Sequence, residues 1–470
     1  MLSMQDTFPV AIIGAGPVGL AAAAHLIERG ETPVIFETGA EVASSIRQWA
    51  HVRMFSPWQY TVDSASVRLL ERHGWQMPPQ DALPTGGDLI DLYLHPFAEL
   101  PEVQPHLHLN ARVIGVSRRN TDKLKDAGRT QAPFVLHIAY ADGHEARIEA
   151  RAVIDASGTW RQPNPLGADG FAATGERQHH THIQYGIPNV SGSDKSRYAN
   201  RRVLVVGSGH SAINALLDLA RLKTDAPQTQ ILWAMRGSNL ARVYGGGEGD
   251  TLPARAKLGT NVQALVDSGD VQLVSPFRVV EVRAAGDGLA VTGETDDGLA
   301  TLEVDEIIGA TGSRPDLEML REMRLSLDPA LESVQQLGPM IDPNIHSCGT
   351  VPPHGEAELR QPEKDFYIVG MKSYGRAPTF LLATGYEQVR SVVAALTGDW
   401  EAARNVQLVL PETGVCSSTL GGSCCTTLAA EPALLSLADI PTNGTALQPL
   451  TFLIPQAVQD DGCADGFCSL

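Results

Sequence analysis

Apolar and polar positions along the chain follow two recurring patterns. Within residues 8–40, PVAIIGAGPVGLAAAAHLIERGETPVIFET sets a short apolar run before a glycine turn, then an Ala-rich stretch, then a second apolar run. That order predicts strand, turn, helix, strand. It returns within residues 201–240, where RRVLVVGSGHSAINALLDLA is followed by QILWAMRG. Between the two, PFVLHIAYADGHEARIEARAVIDASG alternates apolar and polar positions around Asp142-Gly143, the pattern of a β-hairpin. Further apolar runs lie in EIIGATGSRPD and in DFYIVGMKSYGRAPTFLLATGYEQVRSVVAAL. From about residue 401 small and polar residues dominate without a clear period, which predicts an irregular extension.

The two repeats carry chemistry. Gly14, Gly16 and Gly19 form G-x-G-x-x-G between a strand and a helix that opens at Pro17. The first glycine permits a tight turn, the second lets backbone approach a pyrophosphate, and the third lets helix and strand pack closely. Glu37 ends the next strand, 23 residues after Gly14, where a carboxylate accepts hydrogen bonds from a ribose. Gly207, Ser208, Gly209, Ser211 and Ala212 make the second turn, with alanine in the third place. No acid follows the next strand. Arg236 stands there instead, and a guanidinium suits a ribose 2′-phosphate rather than a 2′-hydroxyl. An acid in the first repeat and an arginine in the second predict two different dinucleotides, FAD and NADPH.

With these segments the chain resembles the flavin-containing monooxygenase-like branch of the two-dinucleotide-domain flavoproteins over about residues 8–396. DASGTWRQPNPLG (155–167), HIQYG (182–186), IIGATGSRPD (307–316) and FYIVG (366–370) carry the likeness beyond the two glycine turns. The resemblance implies an α/β fold of two Rossmann-like domains. The FAD-binding domain would be discontinuous, residues 1–195 and 316–400, with an NADPH-binding domain of residues 196–315 inserted. Residues 401–470 would form a Cys-containing extension. It also implies crossings between domains at Gly158 and Gly312, and FAD contacts at Gly370. The family signature before the second turn is degenerate, reduced to His182 and Tyr185 in H-x-x-Y. Many relatives place Asp after the glycine that Gly370 matches, to bind the ribityl chain, whereas Met371 follows here.

Cysteine placement separates the reactions open to this architecture. None occurs between Met1 and Ser347, and Cys348 stands alone, which excludes a disulfide reductase with a cysteine pair in either nucleotide domain. The leading expectation is therefore an oxygenase: NADPH reduces FAD by hydride transfer, and a small substrate is oxygenated through a C4a-hydroperoxyflavin. Residues expected at the flavin are His51 for proton exchange, Arg53 for charge neutralisation, and the loop of Lys372, Tyr374 and Arg376, with a helix from about Thr379 behind it. The glycine-rich 244–250 loop suggests a lid or a plain surface loop. Five of the six cysteines fall in the last 55 residues, at 416, 424, 425, 463 and 468. The neighbours Cys424 and Cys425 resemble the C-terminal pair of flavoproteins that reduce mercuric ion. They open an alternative, a reductase whose tail supplies a catalytic dithiol for a thiol, metal or metalloid substrate. Their spacing fits no standard zinc site, so no metal ligands are expected. A flavin-based redox sensor is the non-enzymatic alternative.

Composition trims the partner classes. A net charge of −18 leaves no basic excess for nucleic acid. No apolar run reaches the roughly 20 residues of a membrane helix, and the N-terminus lacks a basic leader, so the expected compartment is the cytoplasm. The expected partners are a small-molecule substrate and, for an oxygenase, O₂; a homodimer is left open.

Overall fold

The computed structural model describes residues 8–244, 253–345, 351–378 and 380–408. Two five-stranded parallel sheets organise the chain. The first runs in the order Phe366–Ile368, Ala152–Asp155, Val10–Ile13, Pro33–Phe36, Leu107–His108. Val10–Ile13 and Ala152–Asp155 are buried along their whole length, as expected of central parallel strands covered on both faces. The helix Pro17–Glu28 is buried from Pro17 to Leu26. Its run Ala21–Ala24 is fully enclosed, because small side chains on every face let the sheet and the helix Leu382–Leu396 approach it together.

The second sheet runs Val271–Val274, Gln230–Ala234, Arg202–Val206, Glu306–Gly309, Ile183–Tyr185, again all parallel. Its edge strand Ile183–Tyr185 pairs with Glu306–Gly309, so the second sheet begins before residue 196, the expected boundary. A strand of three residues leaves too short an alternation to be read from sequence.

Each half also contains a separate three-stranded antiparallel meander, inserted just before a strand that pairs with the central strand of its parallel sheet. Ala111–Arg118, Phe134–Tyr140 and Glu145–Ala150 precede Ala152–Asp155. Arg278–Ala285, Gly288–Thr295 and Gly298–Val304 precede Glu306–Gly309. The repetition seen at the glycine turns thus extends to the whole of each half. The Asp142-Gly143 hairpin forms as expected, with Gly143 at φ +90°.

Glu363 fastens the returning segment to the first meander. It is 2% exposed and accepts from Arg118 Nε at 2.8 Å and Arg129 Nη2 at 2.6 Å. Burial alone would push this carboxyl up; the two guanidinium groups hold it below its ordinary range.

Among the described residues no helix is long and apolar enough to cross a membrane. The cysteines at 348, 416, 424, 425, 463 and 468, the loop residues 245–250 and Thr379 lie outside the described residues.

Candidate functional site

The first glycine turn is shaped by backbone crowding on one side and open space on the other. Gly14 has φ +97°, and a Cβ there would lie 2.8 Å from Ala156 O. A Cβ on Gly19 would lie 1.9 Å from Gly14 O, so a side chain at that point would force helix and turn apart. Around Gly16 nothing comes within 4 Å of a Cβ position. Pro17 starts the helix at a position whose N–H has no helical acceptor. The result is an open cradle at the positive end of a 12-residue helix, which fits the pyrophosphate of a dinucleotide.

Glu37 lies beside this cradle, 7% exposed, and its carboxylate is heavily used. Oε2 accepts from Ala15 N at 3.0 Å, while Oε1 accepts from Gly39 N at 2.9 Å and Ser44 Oγ at 2.8 Å. The acid therefore holds two loops as well as facing the cleft. A carboxylate offers about four acceptor sites, so capacity for a ribose hydroxyl remains.

The second turn repeats the design. Gly207 has φ +134°, and a Cβ there would lie 2.1 Å from Ala310 O, the counterpart of Ala156 O. Gly209 is open, and Ala212, in the third place, is fully buried. The helix His210–Asp225 begins here, with Ser208 exposed at its entrance. Arg236 is exposed, and among the described residues its guanidinium makes a long 3.4 Å contact to Ala168 O. Gly158 and Gly312 occupy matching left-handed positions, φ +70° and +81°, just after the two crowding carbonyls.

A cleft of about 620 Å³ is lined by Gly14 of the first turn and by Ser211, just past the second, whereas Gly16, Gly207, Gly209 and Arg236 are not among its lining residues. Gly14, Glu37, Ser157, Gly158 and Trp160 line it from the first half, and Tyr185, Ser211 and Gly312 from the second. Two aromatic side chains shape its wall. Trp160 donates from Nε1 to Gln48 Oε1 at 2.9 Å and packs where a Cβ on Gly186 would be only 3.0 Å from its ring. Tyr185 donates its hydroxyl to Glu176, a buried acid that also accepts from Leu166 N and Ala173 N. Desolvation and that acid push the Tyr185 hydroxyl well above its ordinary range, so it stays a neutral donor.

The expected flavin-side residues are placed differently from one another. Arg53 is exposed, its Nη1 donating to Leu83 O at 2.7 Å, and it is not among the residues lining the cleft. His51 has a buried Nε2 with no hydrogen-bond partner, and its segment packs toward the second half. Phe55 meets the His210 ring at 5.4 Å, and His51 lies close enough to Asp218 to oppose the upward shift that burial imposes on that carboxyl. Tyr374 is fully buried, with its ring 5.7 Å from His354 and 5.3 Å from Phe380. Gly370 adopts φ +66°, and its N–H donates to Gln388 Oε1 at 2.7 Å. Lys372 is buried rather than solvated, whereas Arg376 is exposed.

Sequence reasoning did not single out Asp155, Ser157 or Trp160 individually. The available signal was an acid ending a fully apolar strand, immediately before the D-A-S-G turn. Among the described residues no group of three or more His, Cys, Asp or Glu side chains is arranged to hold a metal ion.

Comparison with known proteins agrees with this geometry. The chain is 29% identical over 220 residues to an indole-3-pyruvate monooxygenase of Arabidopsis thaliana, covering 45% of each. It spans about half the length of three of the four sequence relatives it matches. Among solved structures, the bacillithiol disulfide reductase of Bacillus cereus superposes with a TM-score of 0.61 at 19% identity, covering 83% of this chain and 99% of that one. The FAD-bound cadaverine monooxygenase DfoA of Erwinia amylovora superposes with a TM-score of 0.58 at 13% identity, covering 87% and 98%. The family model for pyridine nucleotide-disulphide oxidoreductases matches residues 8–352, well over half of the chain. With residues of both nucleotide halves lining one cleft, this chain belongs to the pyridine nucleotide-disulphide oxidoreductase family.

Proposed function

We propose that the chain is an NADPH-dependent FAD oxidoreductase that oxygenates a small substrate with O₂. The observation that carries this reading is a cleft lined by residues of both nucleotide halves in a chain with no cysteine before residue 348. Electrons delivered there meet no dithiol of the nucleotide domains, whereas O₂ needs none. The relatives named as monooxygenases support the same reading. The reaction balances as NADPH, a proton, O₂ and substrate giving NADP⁺, water and the oxygenated product.

FAD, when bound, supplies the hydride acceptor and the centre at which O₂ is reduced. The chain binds and orients. The open turn at Gly16 and the helix from Pro17 would hold the FAD pyrophosphate, and Glu37 its ribose. The turn at Gly209 and the helix from His210 would hold NADPH, with Arg236 on its 2′-phosphate. Trp160 and Tyr185 narrow the cleft and restrict water, which favours coupling of electron transfer to substrate oxidation.

The test is stoichiometric. Purified protein with FAD is given NADPH and a panel of small amines, thiols and keto acids, and NADPH loss, O₂ uptake and H₂O₂ release are followed together. The expected result is one O₂ consumed per NADPH, with H₂O₂ release falling when a substrate is oxygenated. Anaerobic NADPH consumption driven by a disulfide or metal acceptor, and abolished in Cys424→Ser/Cys425→Ser, would establish the tail-dithiol reductase instead.

A further inference from the structure

Ser157 stands at the mouth of the first cradle. Its Cα is 3.0 Å from the point a Cβ on Gly14 would occupy, and it lines the cleft. Behind it lies a fully enclosed ion pair: Lys372 Nζ donates to Asp155 Oδ2 at 2.7 Å, and both side chains are 0% exposed. Ser157 is bound to both partners. Its hydroxyl donates to Asp155 Oδ1 at 2.6 Å and accepts from Lys372 Nζ at 3.1 Å, while its backbone N–H donates to Asp155 Oδ1 at 3.1 Å.

Hydrogen-bond capacity then decides what Ser157 can do for a ligand. A serine hydroxyl has one hydrogen and two lone pairs. The hydrogen is committed to Asp155 and one lone pair to Lys372. One lone pair remains, so the side chain can accept but cannot donate. A pyrophosphate presents only acceptors and is mismatched to such a group. A sugar-alcohol hydroxyl is matched. Buried ion pairs are costly to assemble from water, so a pair enclosed directly behind a cleft residue invites a role beyond stability. Met371, following Gly370, brings no oxygen or nitrogen side-chain atom to this region.

We propose that Ser157, held as a pure acceptor by the buried Asp155–Lys372 pair, receives a hydrogen bond from a hydroxyl of the FAD ribityl chain. Lys372 and Asp155 are positioning residues in this arrangement. The inference rests on the assignment of FAD to the first cradle.

Binding of FAD and of ADP to the full-length chain, cleared of flavin, separates the possibilities. ADP carries the adenosine and pyrophosphate but no ribityl group. Ser157→Ala is expected to raise the FAD Kd about fivefold, the value of one neutral hydrogen bond, and to leave the ADP Kd unchanged. Lys372→Met is expected to weaken FAD similarly, with no further loss in the double variant, since both changes remove the same acceptor geometry. An unchanged FAD Kd in Ser157→Ala, or equal weakening of FAD and ADP, would overturn the proposal. Additive losses in the double variant would overturn the positioning role of Lys372. Ser157→Ala removes an exposed side chain and decides the first question even where Lys372→Met does not fold. Failure of the unaltered chain to bind FAD at all would instead sink the cofactor assignment.

Discussion

The two nucleotide halves share one plan, yet they carry it out under different constraints. In the first, Gly19 is jammed against Gly14 O and Glu37 is locked by three donors. In the second, Ala212 fits where Gly19 could not be replaced, and Arg236 is exposed, with one long contact among the described residues. The difference teaches that the first cradle is part of the architecture, whereas the second keeps its recognition group apart from its scaffold. Changes at the first should damage fold and ligand binding together. Changes at the second should separate them.

The largest expected effect is at the third glycine. Gly19→Ala places a methyl against a backbone oxygen that cannot rotate away, and should destabilise the chain by about 3 kcal/mol and strip its flavin. The converse Ala212→Gly should cost only about 1 kcal/mol, through helix propensity and a lost methyl, with NADPH binding retained. Thermal melts with flavin content on both variants check the contrast; equal losses would erase it.

Next comes the locked acid. Glu37→Gln puts an amide NH₂ against donors that the carboxylate accepts, so the flavin-free chain itself should lose about 2 kcal/mol. Denaturant titration without added FAD is the measurement. Arg236→Ala, by contrast, should leave the melting temperature within error and raise KM for NADPH about tenfold while KM for NADH stays put. Steady-state kinetics with both nucleotides reads this, and an unchanged preference would remove the 2′-phosphate assignment.

The smallest effect concerns pH. His354 Nδ1 lies 3.0 Å from Pro352 O and its Nε2 2.9 Å from Gln388 Nε2, an arrangement that needs a neutral ring accepting at Nε2. Burial holds the imidazole below its ordinary range. The unfolded chain, with a His pKa of about 6.5, therefore takes up this proton first as pH falls. Stability from this site is intact above about pH 6.5 and declines as pH falls below it. Because Gln388 also holds Gly370 N–H, the loss should loosen FAD before NADPH. His354→Gln should flatten the acid limb of the melting profile, and an unaltered limb would assign it to other groups.

How much of this was legible beforehand depends on the range of the interaction involved. The strands and helices around the two glycine turns and the Asp142-Gly143 hairpin are local patterns, and the structure forms them as read. Ile183–Tyr185 was missed as a sheet member because three residues hold no period, and only pairing with Glu306–Gly309 makes them a strand. Arg53, expected at the flavin from its place after Glu37, pairs with Thr85 and donates to the Leu83 carbonyl, partners some 30 positions away that no local pattern encodes. Lys372 reads as a loop lysine until Asp155, 217 positions away, is found against it.

The sequence by itself determined two glycine turns, an acid after the first repeat and an arginine after the second, and the lack of a cysteine pair through both domains. These rest on residue type and spacing within single strand–turn–helix units. Tertiary structure alone decided that residues of both halves line one cleft, that Glu37 is locked while Arg236 is exposed, and that Ser157 is hydrogen-bonded to a buried ion pair. Those outcomes depend on which backbone and side chains distant segments bring within hydrogen-bond reach, and no local pattern encodes that distance.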